Sequence, residues 1–263
     1  MLLAAALIVL LAASSLAGAV LFFYRDPERK VLKADNALLS PVDGRVVAVR
    51  RYSAFKAPVL SKDGRSFRLD ELAHTDLLGS NGTIISIAIS PLDIHTVRSP
   101  ADSKVVQISS IHGGLKLMRN PEFEYTNERV SMVLETASGK VGLVIVAAPI
   151  TSSVRVLVGD NDYSAAGERV ARIRLGSLAS LIIPDDCGFR PVVSCGERVL
   201  AGLTVIAQLG KTDIPINECY AVRRSTVPER FYLPFLLGFV VLERIFRAVK
   251  QVFRKDVSFK AVR

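Results

Sequence analysis

From about Ala34 to Val222 the chain alternates short apolar runs with Gly, Pro and Asp. The runs Arg45–Val49, Thr83–Ile89, Lys104–Ile108, Val130–Leu134, Val141–Ala147, Val154–Val158, Val170–Ile173, Leu181–Ile183 and Val199–Leu209 are rich in Val and Ile. Branched side chains pack well on a pleated surface, and runs this short between turn residues predict strands. Long helical periods, which parallel strands would need between them, are absent. The pattern predicts a mainly β, compact β-sandwich or barrel-sandwich-like domain, mostly antiparallel.

Two internal echoes refine that picture. Ser40-Pro-Val-Asp-Gly-Arg-Val-Val47 matches Ser99-Pro-Ala-Asp-Ser-Lys-Val-Val106, and Gly167-Glu-Arg-Val170 matches Gly196-Glu-Arg-Val199. A Ser-Pro turn and a Gly-Glu-Arg turn, each leading into a strand, resemble the barrel-sandwich architecture of lipoyl and biotinyl carriers. A carrier needs a Lys at a hairpin tip, and the sequence has no such hairpin. The echoes therefore speak to fold and not to function.

The two ends of the chain carry a different pattern. Met1 to Tyr24 has no charged residue. As a helix it would reach about 36 Å, against a hydrocarbon core of about 30 Å. Phe22, Phe23 and Tyr24 end it, and Arg25, Arg29, Lys30 and Lys33 follow. An N-terminal transmembrane helix over 1–24 is expected, anchoring the domain 25–222 at the cell membrane on its cytoplasmic side. A cleaved signal peptide is the rival reading, since Ala17-Gly-Ala19 suits a signal peptidase, but the positive segment that precedes the apolar run in such peptides is missing. At the other end, Phe231 to Leu242 is apolar but too short to span. After it, Ile245, Phe246, Val249, Val252 and Phe253 form one helical stripe among Arg244, Arg247, Lys250, Arg254 and Lys255. This predicts a basic amphipathic helix within the tail 223–263, lying on an anionic membrane. A solvated helix packed on the domain is the plainer alternative.

Charge changes the picture only in its placement. The 263 residues carry a net charge of +9, and ten basic against three acidic residues give the tail +7 of it. The domain itself is near neutral, so nucleic acid is not an expected partner. The three cysteines, Cys187, Cys195 and Cys219, form no metal-binding spacing and are expected to be reduced thiols.

Candidate chemistry is thin when each residue is taken alone. Two Gly-Ser pairs occur, Gly79-Ser80 and Gly176-Ser177, about what chance placement gives. Asp43 follows a Ser-Pro turn, and a turn Asp bonding its own backbone is the bland reading. The echo at Asp102 favours that reading. His95 lies just after an apolar run, where a lone His is usually structural; His74 and His112 have weaker claims. A Ser/His/Asp hydrolase is conceivable, yet neither Ser sits in a GxSxG elbow.

The order of motifs is more specific than any one of them. Phe22-Phe-Tyr-Arg-Asp-Pro-Glu-Arg29, Ser40-Pro-Val-Asp-Gly-Arg45, Ser90-Pro-Leu-Asp-Ile-His95, Asn127-Glu-Arg-Val130, Gly167-Glu-Arg-Val170 and Arg174-Leu-Gly-Ser177 follow one another along the chain. Together they resemble the phosphatidylserine decarboxylase family in its short form, which includes archaetidylserine decarboxylases. The resemblance covers about residues 22 to 209.

That resemblance implies a proenzyme that makes its own cofactor. Ser177 would attack the Gly176 carbonyl, β-elimination would cut the chain between 176 and 177, and the new N-terminus would become a covalent pyruvoyl group. The ketone would condense with the serine amine of a membrane phospholipid and take up electrons as CO₂ leaves. No metal is implied, and the two chains would stay together as a heterodimer. By resemblance Asp43 acts in self-cleavage and His95 in proton handling. The family's long form reads His-x-x-His-x-Pro, where this chain has His95-Thr-Val-Arg98-Ser-Pro100. Arg98 cannot serve as a base; a phosphate or carboxylate contact to the lipid is its expected role. Leu175 departs from a frequent Phe. The competing reading is a non-catalytic membrane adaptor that kept the fold.

Overall fold

The computed structural model describes residues 10, 14–15, 17–18, 21–22, 24–31, 36–60, 66–114, 116, 120, 122–147, 154–173, 177–210 and 219–220, the last two and Ser177 by backbone alone. The strands are β1 (Ala37–Leu39), β2 (Gly44–Tyr52), β3 (Lys56–Pro58), β4 (Ser66–Arg68), β5 (Gly82–Ile89), β6 (Thr96–Arg98), β7 (Ser103–Ile111), β8 (Arg129–Thr136), β9 (Gly139–Val146), β10 (Val154–Val156), β11 (Tyr163–Ser164), β12 (Arg169–Ile173), β13 (Ser177–Pro184), β14 (Phe189–Pro191), β15 (Arg198–Val199), β16 (Val205–Leu209) and β17 (Cys219–Tyr220). All pair antiparallel. Among the described residues the α-helices Leu69–Ala73 and Phe123–Thr126 are short.

One nine-stranded sheet organises the domain, in the order β11-β7-β8-β9-β13-β5-β2-β15, with β17 also on β2. Strand alternation gives it two apolar faces. Ile85, Ile87, Ala179, Leu181, Leu143 and Ile145 point to one core. Against that face pack two three-stranded sheets, β1-β16-β14 and β10-β12-β6, through Leu38, Ile206, Phe189, Val97, Val170 and Ile173. On the other face Ile84, Leu178, Ile182 and Val144 meet Leu69, Leu72 and Phe123 of the two helices. A sheet buried on both sides explains why its strands read as nearly continuous Val/Ile runs.

The predicted runs find their strands, with two differences. β13 begins four residues before the expected Leu181, and the expected run Val199–Leu209 is two strands, β15 and β16. Gly202, at φ +70°, turns the chain between them and donates its N–H to the Ser40 carbonyl at 2.9 Å. That left-handed conformation suits glycine. The expected three thiols also need correction. Cys187 is a free, buried thiol, whose pKa burial pushes up to about 12, whereas Cys195 is in a disulfide. Cysteine spacing does not report which sulfurs the fold brings together.

The internal echoes are real in three dimensions. Ser40 Oγ donates to the Val42 carbonyl and Ser99 Oγ to the Ala101 carbonyl, both at 2.7 Å. Asp43 Oδ1 accepts the Ala201 N–H at 2.8 Å, and Asp102 Oδ1 accepts the Ala166 N–H at 2.7 Å. Gly167 and Gly196 both have positive φ, and Glu168 and Glu197 each accept the N–H three residues back, from Ala165 and Ser194.

The described fold lies within the unit Met1–Val222. Among the described residues no helix is long and apolar enough to cross a membrane. Most of the predicted span 1–24 and all of the tail 223–263 lie outside the described residues.

Candidate active site

Two strand pairs cross between sheets side by side, and the site forms where they cross. β5 ends at Ile89 and the chain resumes as β6 at Thr96; β12 ends at Ile173 and resumes as β13 at Ser177. Ser177 pairs with Ile89, and Arg172 pairs with Thr96. The connections 90–95 and 174–176 therefore leave the same strand ends together. The His95 carbonyl accepts the Ile173 N–H at 2.9 Å, tying the first connection to the root of the second. On the other flank of β5 lies the start of β2, with Arg45 opposite Ala88. A Cβ on Gly44 would sit 2.3 Å from the Ala88 carbonyl oxygen, so only glycine allows this approach. Asp43, His95 and the backbone of Ser177 are thus gathered at one end of β2, β5 and β13. Gly176 and the Ser177 side chain lie outside the described residues.

Asp43 is 4% exposed and gripped from two sides. Arg29 Nη1 donates to Oδ1 at 2.6 Å and Nη2 to Oδ2 at 2.8 Å, while the Ala201 N–H shares Oδ1. Arg29 also donates to the Ala201 carbonyl at 2.7 Å. This forked pair fixes the carboxylate plane as well as its position. It also raises the Arg29 pKa, chiefly through the hydrogen bonds to Asp43. His95, 6% exposed, has its pKa lowered to about 4, first by burial and also by the Arg25 charge; Asp93 and Asp43 oppose the shift. At neutral pH the imidazole is therefore uncharged, and its burial makes it a weaker base than an exposed histidine.

Arg98 is buried and turned to the N-terminal segment. Nη1 donates to the Gly167 carbonyl at 2.8 Å, and Nη2 to Asp26 Oδ1 at 3.1 Å and the Pro27 carbonyl at 3.2 Å. Asp26 also receives Arg169 Nε at 2.7 Å and Arg172 Nη2 at 2.9 Å. Burial alone would raise the Asp26 pKa, but the hydrogen bonds from Arg169 and Arg172 and the Arg98 charge hold it below the usual carboxylate range. Arg25–Arg29 thus forms a strap laid across β6, β12 and the Asp43 turn. Beside it Arg29, Arg98, Gly167 and Arg169 line a cleft of about 470 Å³. Among the described residues no three His, Cys, Asp or Glu side chains converge as a metal site.

The phosphatidylserine decarboxylase family matches residues 16–207, well over half of the chain. The chain belongs to this family. Among curated relatives, a phosphatidylserine decarboxylase proenzyme of Zymomonas mobilis is 33% identical over 77% of this chain and 76% of its own length. A Methanocaldococcus jannaschii protein, named by inference an archaetidylserine decarboxylase proenzyme, is 32% identical over 73% of this chain and 91% of its own length. A Burkholderia multivorans phosphatidylserine decarboxylase proenzyme is 31% identical over 72% and 78%. Family membership makes this protein a decarboxylase enzyme.

Within this decarboxylase the motifs divide into two kinds. Asn127-Glu-Arg-Val130 is structural: Asn127 bonds the backbone of Lys116 and Ala147, and Arg129 donates to the carbonyls of Glu71, Leu72, Tyr125 and Asn127. Gly167-Glu-Arg-Val170 makes a turn and supplies Arg169 to the strap. Arg25-Asp-Pro-Glu-Arg29 reaches the site itself. Sequence reading used Arg29 as a positive charge after the expected span and both Asp26 and Arg29 as part of a family motif, but gave neither a place at the site. Nothing local links Arg29 to Asp43, fourteen residues on, because the fold alone brings them together.

Proposed function

We propose that this decarboxylase acts on a serine phospholipid, releasing CO₂ and leaving the ethanolamine lipid, after cutting itself between Gly176 and Ser177. The observation that carries the reading is the convergence of Asp43, a neutral His95 and the head of β13 at one end of three neighbouring strands. The relatives' names supply the lipid class, with either acyl-ester or isoprenoid-ether tails, and the word proenzyme supplies the processing.

In this reading the Ser177 hydroxyl adds to the Gly176 carbonyl and the amide becomes an ester, the proton being taken up by a base held at the site. Asp43 is too firmly held by Arg29 to move, so its part is to fix charge and orientation, and His95 receives and returns the proton. Elimination then frees the Gly176 carboxylate; water replaces the nitrogen left on residue 177, which departs as ammonia. The residues present fit the resulting group, because the strand ladder places position 177 beside the His95 connection. When formed, the pyruvoyl carbonyl supplies the electron sink for decarboxylation. Arg98 is already engaged by Asp26, and we assign it to holding the strap in place of the lipid contact expected from sequence.

The cut falls at the first residue of a strand paired on both sides. β13 matches β5 from Ser177 to Pro184 and β9 from Leu178 to Ile182. These ladders hold the new chain as a heterodimer once the covalent link is lost. Exposed apolar side chains in the N-terminal segment, Leu10 at 63% and Leu21 at 75%, support its anchorage in the bilayer. Arg25, Arg29 and Lys30, just after it, favour the cytoplasmic side. Disulfides are rare in that compartment, so the oxidised Cys195 weighs against it.

Intact mass under denaturing conditions tests the proposal. Wild type is expected as two chains divided before residue 177, co-eluting until denatured, and Ser177→Ala as one inactive chain. A wild type that decarboxylates lipid with residue 177 an unmodified internal serine would overturn it.

A further inference from the structure

We propose that the loop Ser90–His95 is an interfacial wedge, in which Leu92 enters the surface of an anionic bilayer and sets the active site at the depth of the lipid headgroups. The inference rests on the reading of the substrate as a bilayer lipid. Its evidence is the distribution of exposed apolar side chains. Leu92, three residues before His95, is 60% exposed. A Leu at a loop tip beside a buried catalytic candidate has no packing role to explain it.

What covers Leu92 is indicated by its neighbours. Its carbonyl accepts Arg25 Nη2 at 2.5 Å, and the Arg25 guanidinium lies 3.8 Å from the centre of the Phe22 ring. Phe22 is 50% and Tyr24 48% exposed, in the same N-terminal segment as the exposed Leu10 and Leu21. The membrane-facing end of the chain is therefore stitched to the Leu92 loop by one arginine. On the far side of the loop, Asp93 receives Arg198 Nη2 at 2.5 Å, and Leu200, two residues on, is 37% exposed beside the Asp43 turn. Leu92 and Phe22 thus meet at Arg25, and Leu200 adjoins Ala201, the backbone partner of Asp43, so exposed apolar groups and arginines alternate near the site. Apolar side chains set among arginines suit the interface of an anionic membrane, where both can be satisfied at once. The loop is also stiff enough to insert: Asp93 Oδ2 accepts the Ser90 N–H at 2.8 Å, and the Asp93 N–H donates to the Ser90 carbonyl at 3.0 Å.

The chain contains no Trp, so a single Trp reports its own position. Leu92→Trp and Phe55→Trp would be compared in the full-length protein in phosphatidylcholine/phosphatidylserine vesicles with headgroup- or shallow-chain-labelled quencher lipids. Phe55 is the control: it is exposed (44%) but lies beyond the other end of β2, roughly 30 Å away along the strand. The expected result is a blue shift and loss of most emission at position 92, with little change at 55. Leu92→Asp should raise KM on vesicles about tenfold, the effect of losing part of one Leu burial, and leave turnover of a dispersed short-chain serine phospholipid unchanged. Equal quenching at 92 and 55, or equal losses on both substrates, would overturn the wedge. Intact mass of the same samples separates this from the decarboxylase reading: two chains without quenching refute only the wedge, and quenching of a single uncut chain refutes only the processing.

Discussion

Asp43 and Asp102 occupy equivalent turns and make the same hydrogen bond to a backbone N–H, yet only Asp43 also receives a guanidinium. That difference separates a turn residue from a site residue. Asp102→Asn should lower stability by at most about 1 kcal/mol and leave self-cleavage intact, since it weakens one exposed bond. Asp43→Asn leaves Arg29 a buried charge without its partner, and both loss of cleavage and destabilisation of about 3–5 kcal/mol are expected. Urea titration and intact mass on the two variants check this. His95 gives a second test, through pH. Its folded pKa of about 4 lies below the ordinary 6.5, so in that window the unfolded chain binds more protons than the folded one. Stability from this group is complete above pH 6.5 and falls as pH drops towards 4, by about 3 kcal/mol. Unfolding free energies measured from pH 7 to 4 should show this slope in wild type and lose it in His95→Gln.

At the scale of elements, the site depends on how closely β2 lies on β5. Gly44 is the contact: any Cβ there meets the Ala88 carbonyl and the Ile87 side chain, and a backbone carbonyl cannot move aside. Gly44→Ala should cost about 1–3 kcal/mol by opening that strand pair. It should also slow self-cleavage more than its stability loss explains, because Asp43 is the adjacent residue. Measuring cleavage rate under conditions where the variant is fully folded separates the two effects. A Gly after an Asp in a turn looks unremarkable in sequence. Its necessity comes from a strand forty residues away.

Across the whole molecule, a buried polar group pins the centre of the large sheet from the face opposite the main core. Arg50 on β2 donates to Ser86 on β5 at 2.8 Å and pairs with Glu124 at 2.8 Å; Ser180 on β13 also donates to Glu124. All four are fully buried. Removing one charge leaves the other without compensation, so Arg50→Met should destabilise by about 3–5 kcal/mol. Arg50→Met combined with Glu124→Leu should recover much of that loss, and a double-mutant cycle in urea measures the coupling. Because the group bridges β2, β5 and β13, it also steadies the three strands whose ends form the site.

Much of this was present in local pattern. Val- and Ile-rich runs marked the strands because a sheet covered on both faces leaves little room for polar residues. The repeated Ser-Pro and Gly-Glu-Arg turns marked the internal echo, since each turn needs those residue types for its own backbone bonds. The ordered motifs carried the family. Pairing across distance was not present: that Arg29 meets Asp43, that Asp102 has no such partner, that Cys195 is oxidised, and that Arg98 turns to Asp26. Those contacts follow from strand register and from how connections cross between sheets, and register is an agreement among segments that no single segment encodes.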